Sequence, residues 1–254
     1  MRKYEEFQIN VASTIDRSEE PSLFFEAEGS EKRPLLVGLH TWSYDRFNQV
    51  EKMLPYAKKH NFHLLLPEFR GSNLDTNEHC TLACASLHAK QDIKDAIDHV
   101  VKNADVDADN IFMLGCSGGG HMALMMCGFC PEYFKAVGAF VPITDLNKWA
   151  EQNKKYRRHV LACCGGSQEE MRLRSPITYV DTIAKANLKI FHGKYDPVVS
   201  HTHSLQLYDL ILQKHPSARV FLDIFDGGHE LDLNAAAYWF LSQYKNQEII
   251  EVTG

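Results

Sequence analysis

The sequence has no long apolar run: nothing in its 254 residues approaches the roughly 18 consecutive apolar positions a membrane-spanning helix requires. It has no surplus of positive charge. Lys and Arg number 27 against 33 Asp and Glu, a formal charge of -6 that leaves no basic face for nucleic acid. The opening residues, Met1-Arg2-Lys3-Tyr4-Glu5-Glu6, are charged and lack the apolar h-region of a secretory signal. Paired cysteine spacing is also missing. The seven cysteines are odd in number and scattered, which suits free thiols in a reducing, cytoplasmic setting better than a disulfide framework. With 44% apolar and 24% charged residues, the chain has the balance of a globular domain and is not low-complexity.

One exception to the scatter, Cys127-Gly128-Phe129-Cys130, has the spacing of a redox or zinc motif. It falls at the end of an apolar helical stretch, just before Pro131, and not at a helix N-terminus where the dipole would lower a thiol pKa. No second pair completes a zinc set, so both are read as buried small hydrophobes. No metal or cofactor is expected.

What is present is an alternation of strands and helices. Phe7–Val11 and Ser22–Ala27 read as two short strands around a polar turn, and Pro34–Leu39 as a strand buried on both faces. A helix over about 47–60 leads to the strand His63–Leu66. A second helix places Ile93, Ile97 and Val100 on one face, with Asp92, Asp95 and Asp98 expected to point away. The strand Ile111–Leu114, a helix from Gly118 and a strand at Ala136–Phe140 follow. Leu188–Phe191 and Val220–Ile224 are two more strands, each with a helix after it. Such alternation predicts an α/β fold with a mostly parallel eight-stranded sheet, over one domain spanning 1–254 with no repeat or linker. The ligand crevice of such a sheet lies beyond the carboxyl ends of its strands.

Residues of about 144–175 do not fit the alternation. Leu146, Trp149, Tyr156 and Val160 recur at three- and four-residue steps, which predicts an amphipathic helix in a small cap over that crevice. A surface excursion without substrate contact is the alternative. Arg157, Arg158, Arg172 and Arg174 lie in this segment and are read as a solvated face before an anion-selecting one.

Gly115-Cys116-Ser117-Gly118-Gly119 is a G-x-S-x-G pattern between an apolar strand and a helix, the context of a nucleophile elbow. The helix N-terminus favours negative charge near Ser117. A serine needs a base to remove its proton. Asp196 follows the strand ending at Phe191, and His229 follows the next strand, giving the chain order nucleophile, acid, base. Asp226, close to His229 in sequence, is a rival acid. His40, His192 and His121 are read as structural, and His201-Thr202-His203 lacks metal-ligand spacing. An oxyanion hole needs two backbone donors. Gly118 offers one, and the loop Leu39-His40-Thr41-Trp42-Ser43 is the place for the second.

These residues resemble the catalytic domain of the prolyl oligopeptidase family, the S9-type serine peptidases and related esterases of α/β-hydrolase fold. The resemblance runs through Phe69-Arg70-Gly71-Ser72, Gly115–Gly120, Ser175-Pro176, His192-Gly193 to Asp196 and Gly228-His229, and covers most of the chain. It implies the triad Ser117, Asp196 and His229, and it implies the second oxyanion donor at the Trp42 N–H. Thr41 stands where the family often has Gly, and the large peptidases carry a β-propeller for which these residues leave no room. The expectation is therefore a carboxylesterase of small acyl esters working through an acyl-enzyme. A peptidase or amidase acting on short peptides is the second reading, and a binding protein on a hydrolase fold the third.

Overall fold

The computed structural model describes residues 6–251. Eight strands form one sheet: β1 (Glu6–Ala12), β2 (Glu19–Phe25), β3 (Arg33–Leu39), β4 (His63–Pro67), β5 (Val106–Cys116), β6 (Ala136–Phe140), β7 (Leu188–Gly193) and β8 (Val220–Phe225). Their order is β1-β2-β4-β3-β5-β6-β7-β8. β1 pairs antiparallel with β2 and β2 antiparallel with β4, while every other neighbour is parallel. Parallel strands require crossovers. These are helices α1 (Val50–His60), α2 (Leu87–Asn103), α3 (Gly118–Phe129), α4 (Leu146–Gln152), α5 (Lys154–Cys163), α6 (Gln168–Leu173), α7 (Val180–Ile183) and α8 (Thr202–Lys214), with α9 (Leu233–Glu251) after the last strand.

Strand side chains alternate between two packed layers. Leu35, Val37 and Leu39 of β3 meet Ile93 and Ile97 of α2, Met122 of α3 and Leu207 of α8. Leu36, between them, joins the opposite layer with Met53 of α1 and Trp239 and Phe240 of α9. Both layers are buried, and each fully buried Leu, Ile or Phe contributes roughly 1.5–3 kcal/mol relative to exposure. Burial on both faces explains why the strands read as continuous apolar runs.

Three local differences from the sequence reading have physical reasons. β5 begins at Val106, well before Ile111, because Val106 pairs with Arg33 before an irregularity in the β3–β5 register. The cap helix is broken: α4 and α5 meet at Asn153, whose side-chain amide donates to the Val198 carbonyl at 3.1 Å. Asp92 and Asp95 do not point away from the protein; only Asp98 of the three is exposed. Asp92 pairs with the buried Arg70, and Asp95 accepts from the Thr14 backbone N–H at 2.7 Å, so both carboxylates are buried with partners.

Candidate active site

β5 ends at Cys116, and the chain turns into α3 at Ser117 with φ 57 and ψ -117. A positive φ on a non-glycine residue is strained, and it lifts the hydroxyl out of the strand line. The turn depends on glycine nearby, since a Cβ at Gly115 would fall on the Gly119 carbonyl. The Ser117 backbone N–H donates to the Phe140 carbonyl at 2.9 Å, and the His121 N–H donates to the Ser117 carbonyl at 2.8 Å. The elbow is thus fixed to β6 on one side and to its own helix on the other.

His229 and Asp196 come from the loops after β8 and β7 and converge on Ser117. His229 Nε2 lies 2.9 Å from Ser117 Oγ, and its Nδ1 lies 2.7 Å from Asp196 Oδ2. An ionised carboxylate can only accept, so Nδ1 carries the proton and Nε2 is free to accept from the serine hydroxyl. The Asp196 side chain is fully buried. Burial alone would raise its pKa. The His192 ring, with Nε2 3.4 Å from the carboxylate, and hydrogen bonds from His229 and from the Val199 and Val198 backbone N–H groups instead hold it well below the usual carboxylate range. Asp226, the rival, is exposed on its loop, and the His229 ring nitrogen that needs a carboxylate is already bonded to Asp196.

His192 reaches the same carboxylate from β7. Its Nε2–H donates to the Val199 carbonyl at 2.9 Å, and Nδ1 accepts from the Ser204 hydroxyl at 2.7 Å. His40 stacks on Phe69 with ring centres 3.8 Å apart, its Nε2–H donates to the Glu68 carbonyl, and burial pushes its pKa down. His121 is fully buried, donates to the Arg174 carbonyl at 2.7 Å, and is pushed down to about 4 by that burial. His203 is likewise pushed down to about 3 by burial and sits against Thr144 and Gln152. All four bond to partners within the protein. Among the described residues no group of three or more His, Cys, Asp or Glu is placed to hold a metal.

The backbone of Trp42 closes over the elbow. A Cβ on Gly118 would lie 2.5 Å from the Trp42 nitrogen, so these two main-chain segments run side by side with no room for a side chain between them. Gly118 opens α3, where the first backbone N–H groups lack intrahelical acceptors. The Trp42 carbonyl is held by the Asn73 N–H at 2.8 Å, and its ring packs edge-on to Trp149 of α4 at 4.8 Å. The 144–175 segment is tied to the loop after β7 as well, through Trp149 Nε1–H and Asn153 Nδ2–H on the Val198 carbonyl. Its arginines are largely engaged. Arg172 pairs with Glu169, Arg158 with Asp75, and the mostly buried Arg174 with Glu170 and the carbonyls of Ala83 and Cys163. Arg174 is thus not on a solvated face, contrary to the sequence expectation: it bridges the cap to the β4–α2 connection.

Residues 49–245 match the prolyl oligopeptidase family. The chain belongs to that family. It is a serine hydrolase of the S9 type, as the resemblance of its motifs implied. Among curated relatives, it is 24% identical over 234 residues to acylamino-acid-releasing enzyme 2 of Oryza sativa subsp. japonica, covering 84% of this chain and 29% of the relative. It is 26% identical over 204 residues to the acylamino-acid-releasing enzyme of Mus musculus, covering 74% and 28%. The chain therefore spans under a third of the length of these relatives. Among solved structures, an acylaminoacyl peptidase of Pyrococcus horikoshii superposes with a TM-score of 0.74 at 22% identity, over 99% of this chain and 42% of the other. An esterase of Pyrococcus furiosus does so at 0.72 and 16% identity, over 96% and 91%. At such identities the superpositions show a shared fold, the α/β-hydrolase fold. Among the described residues no helix is long and apolar enough to cross a membrane.

The sequence missed two features around the site. One is the Arg70 network, in which a guanidinium with a 5% exposed side chain meets Asp16, Glu20 and Asp92 just beyond β4. No local spacing signals it, because the three carboxylates come from the β1–β2 connection, β2 and α2. The other is a group of four cysteines brought together by the cap, which no local spacing could reveal.

Proposed function

We propose that Ser117 is the nucleophile, His229 the general base and acid, and Asp196 the carboxylate that orients and stabilises the imidazole. The backbone N–H groups of Gly118 and Trp42 form the oxyanion hole, and residues of about 144–175 form the cap. The hydrogen-bonded chain from Asp196 through His229 to Ser117, at 2.7 and 2.9 Å, carries this reading. Ser117 Oγ attacks the acyl carbon as its proton passes to His229 Nε2. The carbonyl oxygen becomes an anion facing the two N–H groups. His229 returns the proton to the leaving group as the bond breaks, and an acyl-Ser117 remains. Water, deprotonated by His229, then attacks the acyl carbon and releases the acid and the serine.

We take the substrate to be a small acyl ester. A phenolate or alkoxide leaves with little help, so the triad and the oxyanion donors suffice. A second reading, removal of an N-acylated residue from a short peptide, is favoured by the acylamino-acid-releasing enzymes among the curated relatives. Free thiols at all seven cysteines suit a reducing compartment, and a cytoplasmic setting is part of the proposal. A fluorophosphonate probe tests the nucleophile: peptide mapping should find the phosphonyl group on Ser117, and Ser117→Ala should take up none. Labelling that persists in that variant would remove Ser117 from the role.

A further inference from the structure

Both oxygens of the Asp196 carboxylate are engaged. Oδ1 accepts from the Val198 and Val199 backbone N–H groups at 2.8 and 3.0 Å, and Oδ2 faces two imidazoles, with His229 Nδ1 at 2.7 Å and His192 Nε2 at 3.4 Å. The His229 contact belongs to the site already described. His192 is the next-to-last residue of β7, and its side chain, like that of Asp196, is fully buried. Its tautomer follows from its partners. The Val199 carbonyl can only accept, so Nε2 carries the proton, and Nδ1 accepts from the buried Ser204 hydroxyl of α8 at 2.7 Å.

We propose that His192 is a positioning residue of the site: its Nε2–H anchors Val199 and lays a positive edge beside Asp196 Oδ2, so that the carboxylate meets the His229 ring in one orientation. The proposal rests on the reading of Asp196 as the acid of the triad. Val199 is the link between the two side chains. Its carbonyl accepts the His192 Nε2–H at 2.9 Å, while its own N–H donates to Asp196 Oδ1. The same loop is fixed to its neighbour. The Lys194 and Tyr195 N–H groups donate to the Phe225 and Gly227 carbonyls, each at 2.9 Å. A Cβ on Gly193 would fall 2.1 Å from the Gly228 carbonyl, so the loops after β7 and β8 are pressed together. Ser204 holds the other ring nitrogen of His192, which ties α8 into the same arrangement.

The His192 N–H also opposes added positive charge. When the Asp196–His229 pair takes up a proton its net charge rises, and the positive end of the N–H dipole beside Oδ2 disfavours that uptake. Removing the donor therefore moves the acid limb of the reaction upward in pH. The other titratable groups around the pair keep one charge through this range. Burial holds Cys116, at the end of β5, protonated by pushing it up to about 12, and holds His203 of α8 neutral by pushing it down to about 3. Lys52 of α1 acts on Cys116 and Lys148 of α4 on His203, while Asp226 and Glu230 are exposed on the His229 loop.

The test follows the second-order rate of fluorophosphonate labelling of the full chain from about pH 5 to 9, a reaction that needs the base but no particular substrate. His192→Asn keeps an amide for Ser204 but does not reach Val199, whereas His192→Gln keeps a donor near the position of Nε2. The Asn variant should label on the order of tenfold more slowly on the plateau, with its acid limb raised by about half a pH unit. The Gln variant should recover most of both. A loosened fold slows labelling without moving the limb. An acid limb at its wild-type position in His192→Asn, or a Gln variant no better than the Asn one, would overturn the proposal. If circular dichroism shows His192→Asn unfolded, Ser204→Ala decides. It weakens the donor through Nδ1 and should raise the limb by a smaller amount, and an unmoved limb there overturns the proposal. Asp196→Asn separates this role from the triad itself. Wild-type labelling in that variant would remove Asp196 from the triad and this proposal with it. Slow labelling in Asp196→Asn, beside an unmoved limb in the His192 variant, would count against His192 alone.

Discussion

The backbone nitrogen of Trp42 stands 2.5 Å from the point at which a side chain on Gly118 would begin. Nearness of this kind is what two main-chain donors need to address one oxyanion. It also makes Gly118 irreplaceable, because even a methyl group must displace the Trp42 loop or the start of α3. Gly118→Ala should therefore cost on the order of 10²–10³ in kcat, the scale of a lost oxyanion donor, with little change in KM. Circular dichroism would check that the fold survives. An alanine variant with wild-type kcat would remove Trp42 and Gly118 from the oxyanion role.

The acid of the triad can be tested against its rival. Asp196→Asn keeps the shape of the loop but cannot hold the His229 Nδ1–H as an ion does, and kcat should fall by about 10⁴. Asp226→Asn, on an exposed side chain, should leave kcat within a factor of two or so. The reverse pattern would transfer the role to Asp226. Steady-state rates with one aryl ester decide it.

How much of this was legible beforehand depends on whether the determinant was local. The strands of the parallel sheet announced themselves as apolar runs because Leu35, Leu36 and Val37 are all buried, whichever layer they face. The convergence of Ser117, Asp196 and His229 was legible because each follows a strand and their chain order is constrained by the fold. Asp92 was misplaced because its partner, Arg70, sits at the end of another strand, and nothing within α2 foretells a guanidinium there. The break at Asn153 escaped for a similar reason. Leu146, Trp149, Tyr156 and Val160 do share one cluster, as their spacing implied, but the acceptor that interrupts the helix is the Val198 carbonyl on the acid loop. Long-range polar partners, unlike apolar periodicity, leave no mark on the sequence around them.

Buried histidines give the protein a pH dependence separate from catalysis. His121 has its pKa pushed down to about 4 by burial, whereas an unfolded chain holds histidine at about 6.5. Above the higher value both states are neutral and nothing is lost. Between the two, the unfolded state takes up a proton that the native state refuses. Stability then falls by up to about 1.4 kcal/mol per pH unit for this residue, and levels off below the lower value. His203, pushed down to about 3, acts in the same direction. Urea titrations at pH 7 and pH 5 should show wild type losing more stability than His121→Gln, although the variant starts lower at pH 7. Equal losses in the two proteins would mean that His121 titrates alike in both states.

The choice between ester and peptide substrates turns on the leaving group. Both reactions pass through the same oxyanion, so the proposed donors at Gly118 and Trp42 would serve either. An amine must be protonated by His229 as it departs, and Nε2 has to be aimed at the nitrogen of a substrate held in one pose. That hold comes from remote subsites, and substrates that do not reach them lose kcat. Polar groups of residues 144–175 are engaged within the protein itself. Trp149 and Asn153 both donate to the Val198 carbonyl, and Arg158 faces Asp75. An aryl ester makes no comparable demand. N-acetyl-alanine 4-nitrophenyl ester and N-acetyl-alanine 4-nitroanilide share an acyl group and a ring, and differ only in the atom that leaves. The ester should exceed the anilide in kcat/KM by well over about a hundredfold, a gap of some 2.7 kcal/mol in transition-state stabilisation. An anilide within tenfold of the ester would overturn the esterase reading and make this chain a hydrolase of N-acylated residues.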